Sequence, residues 1–366
     1  MTSFTVNGEV TTSQTLGLAE AGAVTMTGNL MVTGAGNAVN MTDFAFLTVS
    51  GSIFAAQSAI DSLSAAFINV GATGVVTAFD SAIHVAGGSI LSTVNNKGII
   101  YGFSGIVADS GPLTVSNAGQ ITGDGSSAIV FAGTGLLSVA NSGDVFGASF
   151  GIFSSGTTSA NIVNSGIITG SSGAMSLGSG ASNVLNTGTL GGRTLLGGGT
   201  DQFDGTGGVQ GIVYGGAGAD TIRGGAGDDV LNGDAGADVL RGNAGDDVMG
   251  GGADADVLYG GLGEDSLTGG TGLDTLRGGD GDDRLTGGTL ADTFVFSRGQ
   301  GTDRVTDFLN GTDKLDLRAF DFANLAAVKA LASASSLGLR IDVPGEGILF
   351  VQGLTLATLT AGDVLL

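Results

Sequence analysis

The chain has no cysteine, one histidine, two prolines, and only 12 lysines and arginines against 34 aspartates and glutamates in 366 residues. Without cysteine there are no disulfides, thiolate zinc sites or iron–sulfur clusters. With His84 as the sole histidine, any site needing two imidazoles is excluded, the HExxH zinc peptidases among them. Two prolines exclude collagen and proline-rich linkers. A net charge of −22 repels nucleic-acid phosphates and anionic lipid headgroups and attracts cations. No run of about 18 apolar residues is present to span a bilayer. The most apolar stretch, Ile348 to Leu366, is broken by Gln352, Gly353, Gly362 and Asp363. Met1 to Glu9 show neither a basic n-region nor an apolar h-region, so a cleaved secretory signal is not expected. What the chain does have is glycine, 71 residues where about 7% is usual. Its 42% of hydrophobic residues can bury a core.

Charge divides the chain. Residues 1–195 carry eight acids and two bases, 196–295 carry 18 acids and four bases, and 296–366 carry eight acids and six bases. The middle segment also holds 31 of the glycines. These shifts set three expected domains: 1–195, 196–295 and 296–366.

From Gly215 the sequence repeats every nine residues, beginning GGAGADTIR, GGAGDDVLN, GDAGADVLR. Position one is Gly in all nine units. Position six is always Asp: Asp220, Asp229, Asp238, Asp247, Asp256, Asp265, Asp274, Asp283 and Asp292. Position eight is always apolar, from Ile222 to Phe294. An imperfect unit, Gly197 to Phe203, carries its Asp one place early and reads as a degenerate first coil. Glycines at positions one, two and four permit left-handed backbone and close approach, so six residues suffice for a turn and three for a strand with its middle side chain inward. Two repeats then make one coil of 18 residues. One edge stacks Asp220, Asp238, Asp256, Asp274 and Asp292; the other stacks Asp229, Asp247, Asp265 and Asp283. At ~4.8 Å between coils, neighbouring carboxylates repel by roughly 3 kcal/mol at an effective dielectric of ~20. The metal-free roll is expected to be strained or unfolded, and a hard dication between coils reverses the sign. Calcium accepts six to eight oxygens in loose geometry, whereas magnesium demands an octahedron and zinc prefers nitrogen or sulfur.

This stretch resembles the RTX proteins, whose GGxGxDxUx repeat binds calcium. The resemblance implies a parallel β-roll with each ion between neighbouring turns of one edge, held by Asp carboxylates and turn carbonyls. Carried onto this chain, it implies up to about seven ions, four on one edge and three on the other. The edges differ at position five. One has Asp228, Asp246, Glu264 and Asp282; the other has Ala219, Ala237, Ala255, Leu273 and Ala291. The first is expected to bind calcium more tightly or to carry a charged outer stripe. Asp234, Asn243, Asp254 and Leu290 depart from the glycine pattern, and the last two make the turns of Asp256 and Asp292 the weakest matches.

After the repeats, apolar and polar residues alternate through 291–296, 301–308 and 311–317, which reads as strands, and Asn324 to Ser336 reads as a short helix. An open roll end needs a cap. The segment resembles the C-terminal cap of serralysin-type secreted proteins. Leu354 to Leu366, ending in an acid and three aliphatics, resembles the uncleaved terminal signal of type I secretion. The resemblance implies export by type I machinery, folding on calcium outside, and an extracellular location.

Residues 1–195 carry a longer period. Glycines at 28, 51, 74, 98, 119, 143, 166 and 188 are each followed two residues later by an aliphatic, Leu30 through Leu190. A second anchor follows in the first seven units: Val39, Ile60, Ile83, Ile106, Ile129, Ile152 and Met175. Asn96, Asn117, Asn141, Asn164 and Asn186 stand two residues before their glycines. The pattern predicts a parallel, right-handed β-helix of about eight rungs, roughly 40 Å long at ~4.8 Å per rung, with the asparagines as a ladder satisfying turn backbone. The expected class is all-β: β-helix, β-roll, then a small β-rich cap.

Similar repeats occur in secreted, adhesin-like β-solenoids, and some alginate epimerases join a β-helix to RTX rolls. Catalysis on an acidic sugar needs cations and an acid–base pair, yet residues 1–195 offer only Lys97, Arg193, His84 and Tyr101. Their acids do not follow the rung spacing. His84, between Ile83 and Val85, reads as a surface or turn-packing residue. The expectation is a non-catalytic protein whose β-helix meets a cell-surface, matrix or polysaccharide ligand; the alternative is a small polysaccharide lyase or epimerase.

Overall fold

The computed structural model describes residues 14–16, 23–26, 29–32, 36–41, 45–86, 90–208 and 210–366. Gly28, the first glycine of the long period, lies outside them, as do Glu9, Glu20 and Asp43. The fold is almost entirely parallel β. The chain forms two units, residues 1–198 with 208–211, and residues 199–207 with 212–366. No helix among the described residues is long and apolar enough to cross a membrane.

The first unit is a β-helix with three strands per rung. Leu113–Asn117, Gln120–Gly123 and Ile129–Phe131 make up one such rung. All rung-to-rung pairings are parallel. The aliphatics two residues after glycine face one another on the second strand: Leu30 meets Ile53, Ile53 meets Val76, and so on to Ile168 and Leu190. The second anchors stack on the third strand, from Val39 on Ile60 to Ile152 on Met175. The first strand adds a third inward column, Leu47, Ile68, Val94, Val115, Val139, Ile162 and Val184. The expected pattern had no separate place for this column because its glycines and asparagines lie at the strand's end. All three columns are buried.

The asparagines form the expected ladder. Asn96 Nδ2 donates to Asn117 Oδ1 at 2.8 Å, Asn117 to Asn141 at 2.7 Å, Asn141 to Asn164 at 2.8 Å and Asn164 to Asn186 at 2.8 Å. Each amide also donates to a backbone carbonyl of the next rung, such as Asn141 to Ile167 O. Buried amides bonded on both sides tie rungs together at the corner where the chain turns. Behind them the glycines pack backbone on backbone: a Cβ on Gly143 would stand 2.1 Å from Gly119 O.

The second unit is a roll of two parallel sheets with a register of 18 residues: Leu231 pairs with Met249, and Leu240 with Leu258. The position-eight side chains are at most 1% exposed. The strands are longer than expected. Val239–Ala244 and its equivalents run six residues, through the first three positions of the next repeat. Position two bends the ribbon by taking a left-handed conformation, so the ladder resumes past it and the turn proper is only three residues.

In the C-terminal part, Thr302–Val305 and Lys314–Asp316 continue the two sheets. The expected helix is shorter than predicted: Leu325–Ala330 is helical, capped by the Asn324 side chain accepting from Ala327 N. Residues Ala332–Ser335 instead pair antiparallel with Gly338–Val343, because left-handed Gly338 closes a hairpin there. The final strand, Val364–Leu365, lies parallel to Lys314–Asp316, with Leu354, Leu359 and Val364 buried.

Replacing Asn141 by Ala should remove bonds on both sides of one rung and cost about 1–3 kcal/mol. The urea midpoint of the first unit's transition should fall, and an unchanged midpoint would show that the ladder is ornamental.

Candidate functional site

The roll presents its nine repeat aspartates at the turns, each almost fully buried at 1–4% exposure. Their geometry is systematic. The backbone N–H of each Asp donates to Oδ1 of the Asp one coil further on: Asp220 to Asp238 at 2.7 Å, Asp238 to Asp256 at 2.8 Å and Asp256 to Asp274 at 2.9 Å on one edge. Asp229 to Asp247, Asp247 to Asp265 and Asp265 to Asp283 follow on the other, at 2.8 to 2.9 Å. Sequence reasoning expected two stacked rows of mutually repelling carboxylates. The structure stacks them in those two rows, and it assigns Oδ1 of every one but Asp229 to holding the previous coil.

The second oxygen is different. Oδ2 of Asp220, Asp238, Asp247, Asp256, Asp265, Asp274, Asp283 and Asp292 is buried with no hydrogen-bond partner. It sits against the position-one glycine of its own repeat. A Cβ on Gly242 would stand 1.9 Å from Asp247 Oδ2, and on Gly260 2.1 Å from Asp265 Oδ2. This contact explains why position one is always glycine. Asp229 differs: its Oδ2 accepts from Gly225 N at 2.5 Å.

The left-handed backbone falls where the motif places glycine and where it departs from it. Gly236, Gly245, Gly263 and Gly281 have φ between 113° and 140° at position four. The four substituted positions, Asp234, Asn243, Asp254 and Leu290, keep φ of 72–83°. Their conformation is imposed by the coil, and they carry the backbone strain that glycine avoids.

The ladders extend beyond the nine residues. Asp201 N donates to Asp220 Oδ1 at 2.7 Å, Asp283 N to Asp303 Oδ1 at 3.2 Å, and Asp292 N to Asp313 Oδ1 at 3.0 Å. Asp303 and Asp313 lie 20 and 21 residues on, so a strict 18-residue period passes over them. The acidic residues at position five form a separate exposed row. Asp246 N donates to Asp228 Oδ1 at 2.9 Å and Glu264 N to Asp246 Oδ1 at 2.8 Å.

Burial pushes the inner carboxyls up, the preceding coil's N–H pulls them down, and neighbouring carboxylates push them up again. Asp238, Asp247 and Asp283 reach about 6, Asp256, Asp265 and Asp292 about 7, and Asp303 about 8. These groups bind protons in the folded state that the unfolded chain gives up, and a cation is the alternative counter-charge. The donor set is hard oxygen only, which fits a calcium-like ion and not zinc. Among the described residues no three His, Asp or Glu side chains converge on one point.

In the first unit, the structure joins residues that sequence reasoning had kept apart. His84 pairs in register with Asp61 on the rung before. Its Nδ1 lies 2.8 Å from Asp61 Oδ1 and its Nε2 2.8 Å from Asp109 Oδ2. For Asp61 and Asp109 the expectation that the acids ignore the rung spacing is corrected: the intervals of 23 and 25 join each of them to His84, an unlike residue that a count of acids alone passes over. Burial alone would lower the His84 pKa, but hydrogen bonds to Asp109 and Asp61 outweigh it and raise it.

Comparison with known families matches residues 212–240, 232–267 and 259–294 to the RTX calcium-binding nonapeptide repeat, four copies. Among solved structures, the AlgE6R3 subunit from the Azotobacter vinelandii mannuronan C5-epimerase is 31% identical, covering 33% of this chain and 77% of that one, with a TM-score of 0.28. The extracellular lipase LipA from Serratia marcescens is 20% identical, covering 46% of this chain and 40% of that one, with a TM-score of 0.23. A comparison with curated proteins found no match.

If the buried carboxylates are the cation's donors, protons compete with it for them, and calcium affinity measured by calorimetry should fall at least tenfold between pH 7.5 and 5.5. Over the same range the calcium-free roll should gain stability, since raised carboxyl pKa values favour the folded state as pH falls from about 8 towards 4. An affinity independent of pH would contradict the assignment of the buried carboxylates as the cation's donors.

Proposed function

We propose that this chain, whose residues 212–294 are RTX calcium-binding nonapeptide repeats, is a secreted, non-catalytic protein that folds its roll on calcium after export. The observation that carries this reading is the row of buried Oδ2 atoms with no partner. Asp220, Asp229, Asp238, Asp247, Asp256, Asp265, Asp274, Asp283 and Asp292 would hold calcium together with turn carbonyls. Nine levels on two edges give up to about seven ions, and Asp303 and Asp313 offer one further level on each edge. When bound, calcium supplies positive charge that replaces protons on the inner carboxyls. The chain's own residues do the rest: Oδ1 atoms hold the coils in register, and position-one glycines leave room for Oδ2.

The functional division that goes with this reading is a β-helix over 1–195, the roll over 196–295, and a cap with the secretion signal over 296–366. Calcium scarcity in the cytosol would keep the acidic roll open for passage through type I machinery. Calcium outside would then convert metal-binding energy into folding energy. The β-helix serves as a structural or adhesin-like module that meets a cell-surface, matrix or polysaccharide ligand.

The position of His84 supports a non-catalytic reading over a lyase or epimerase. Both its ring nitrogens are engaged by carboxylates, which leaves neither to move a substrate proton.

Export tests the proposal. Deleting residues 350–366 should abolish secretion by a type I exporter, and appending residues 296–366 to an unrelated passenger should confer it. The second arm separates a signal from a folding defect, because Val351, Leu354 and Val364 are buried in the fold. A passenger left inside the cell, or a truncated chain still exported, would overturn the secretion part of the reading.

A further inference from the structure

We propose that the second strand face of the β-helix is a docking surface for an uncharged β-1,4-linked glycan. The proposal rests on the surface-module reading above and names the ligand class of that module.

The evidence is a column of side chains in strict register. Phe54 pairs with Thr77, Thr77 with Tyr101, Tyr101 with Thr122, Thr122 with Phe146, and Phe146 with Thr169. Aromatic rings occupy every second rung and threonines the rungs between. These residues point away from the core, since their neighbours Ile53, Ile100 and Val145 are at most 1% exposed. Phe54 and Phe146 are half-buried and Tyr101 is 39% exposed. Two more rings widen the surface. Phe79, 70% exposed, stands edge-on to Phe54 with centroids 5.5 Å apart. Phe103, 50% exposed, lies over Gly125, where a Cβ would come within 2.1 Å of its ring. Exposed rings gathered on one face in this way mark an interaction site.

Charge and spacing select the occupant. The adjacent outward column reads Ser52, Val75, Ile99, Gln120, Asp144 and Ile167, so Asp144 is the single charge in the two columns and neither holds a base. Asp124, beside them, accepts the Tyr101 hydroxyl at 2.6 Å. A polyanion finds no cation here, and an uncharged polymer meets no penalty. At ~4.8 Å per rung, ring follows ring at about 9.6 Å, close to the disaccharide repeat of an extended β-1,4-linked chain. In such a chain alternate sugars present the same apolar face. Rings at Phe54, Tyr101 and Phe146 would stack on those faces, and the Thr77 and Thr122 hydroxyls would lie beneath the intervening sugars, whose hydroxyls they can bond. A lipid surface or a second copy of the chain would be served by unbroken apolar side chains, with no use for hydroxyls on alternate rungs.

The test uses the full chain in calcium. It should be retained on microcrystalline cellulose or chitin. Calorimetry with cello-oligosaccharides should show affinity rising with length and flattening near about five sugars, the span of four rungs from Phe54 to Phe146. The triple change Phe54→Ala, Tyr101→Ala, Phe146→Ala should lower retention at least tenfold, while Phe153→Ala, on a different face, should not. The length dependence is read on the unaltered chain and stands if the triple variant misfolds. Retention of a normally folded triple variant, preference for polygalacturonate, loss of a dimer in the triple variant, or flotation with neutral vesicles that the triple variant loses would each overturn the proposal. Absence from cellulose and chitin with retention on another matrix overturns this ligand class alone. Absence from every matrix overturns the surface-module reading as well, and calcium calorimetry on the same samples reports separately on the roll.

Discussion

Each coil of the roll is fastened to the next by one oxygen of an aspartate, and in eight of the nine repeat aspartates the other oxygen is buried without a hydrogen-bond partner. This divided carboxylate sets the rest of the second unit. The bonded oxygen requires an 18-residue register, because an Asp must meet the backbone N–H of the Asp one coil away. The unbonded oxygen requires glycine at position one and demands a positive counterpart. A buried oxygen left without a partner costs about 1–3 kcal/mol, and the chain repeats that cost at eight positions. Only a proton or a cation relieves it, so the roll's stability is linked to both.

The two units solve the same problem in different ways. Both are solenoids whose coils touch only their neighbours, so each junction must be held separately. In the first unit the corner residue is asparagine, which donates and accepts and so forms a neutral ladder that closes on itself. In the second the corner residue is aspartate, which only accepts when ionised. Its ladder cannot close without something added. The Asn117–Asn141 corner satisfies itself, whereas the Asp238–Asp256 corner leaves a buried oxygen open to a positive counterpart.

Much of this was legible in the sequence because solenoids translate period directly into contact. The intervals that paired Ile53 with Val76, Asn117 with Asn141 and Leu240 with Leu258 are the registers of the structure. The two rows of roll aspartates were legible for the same reason. What escaped was anything that breaks period or type. Asp303 and Asp313 join the ladders at intervals of 20 and 21 and so fall outside a nine-residue count. His84 stacks between two carboxylates, unlike residues that no repeat search groups. The alternation of aromatic and threonine down the second face has a period of two rungs, visible only once the rungs are aligned. The residues 332–335 were composed as a helix could be, and went into a hairpin because Gly338 turns the chain back onto them.

The account stands most directly on thermal melting of the full chain followed by circular dichroism, in calcium and in excess strong chelator at neutral pH. It predicts that the roll's transition falls by about 10 °C or more, or disappears, when calcium is removed, while the β-helix transition stays in place. Superimposable melting curves in the two conditions would contradict it.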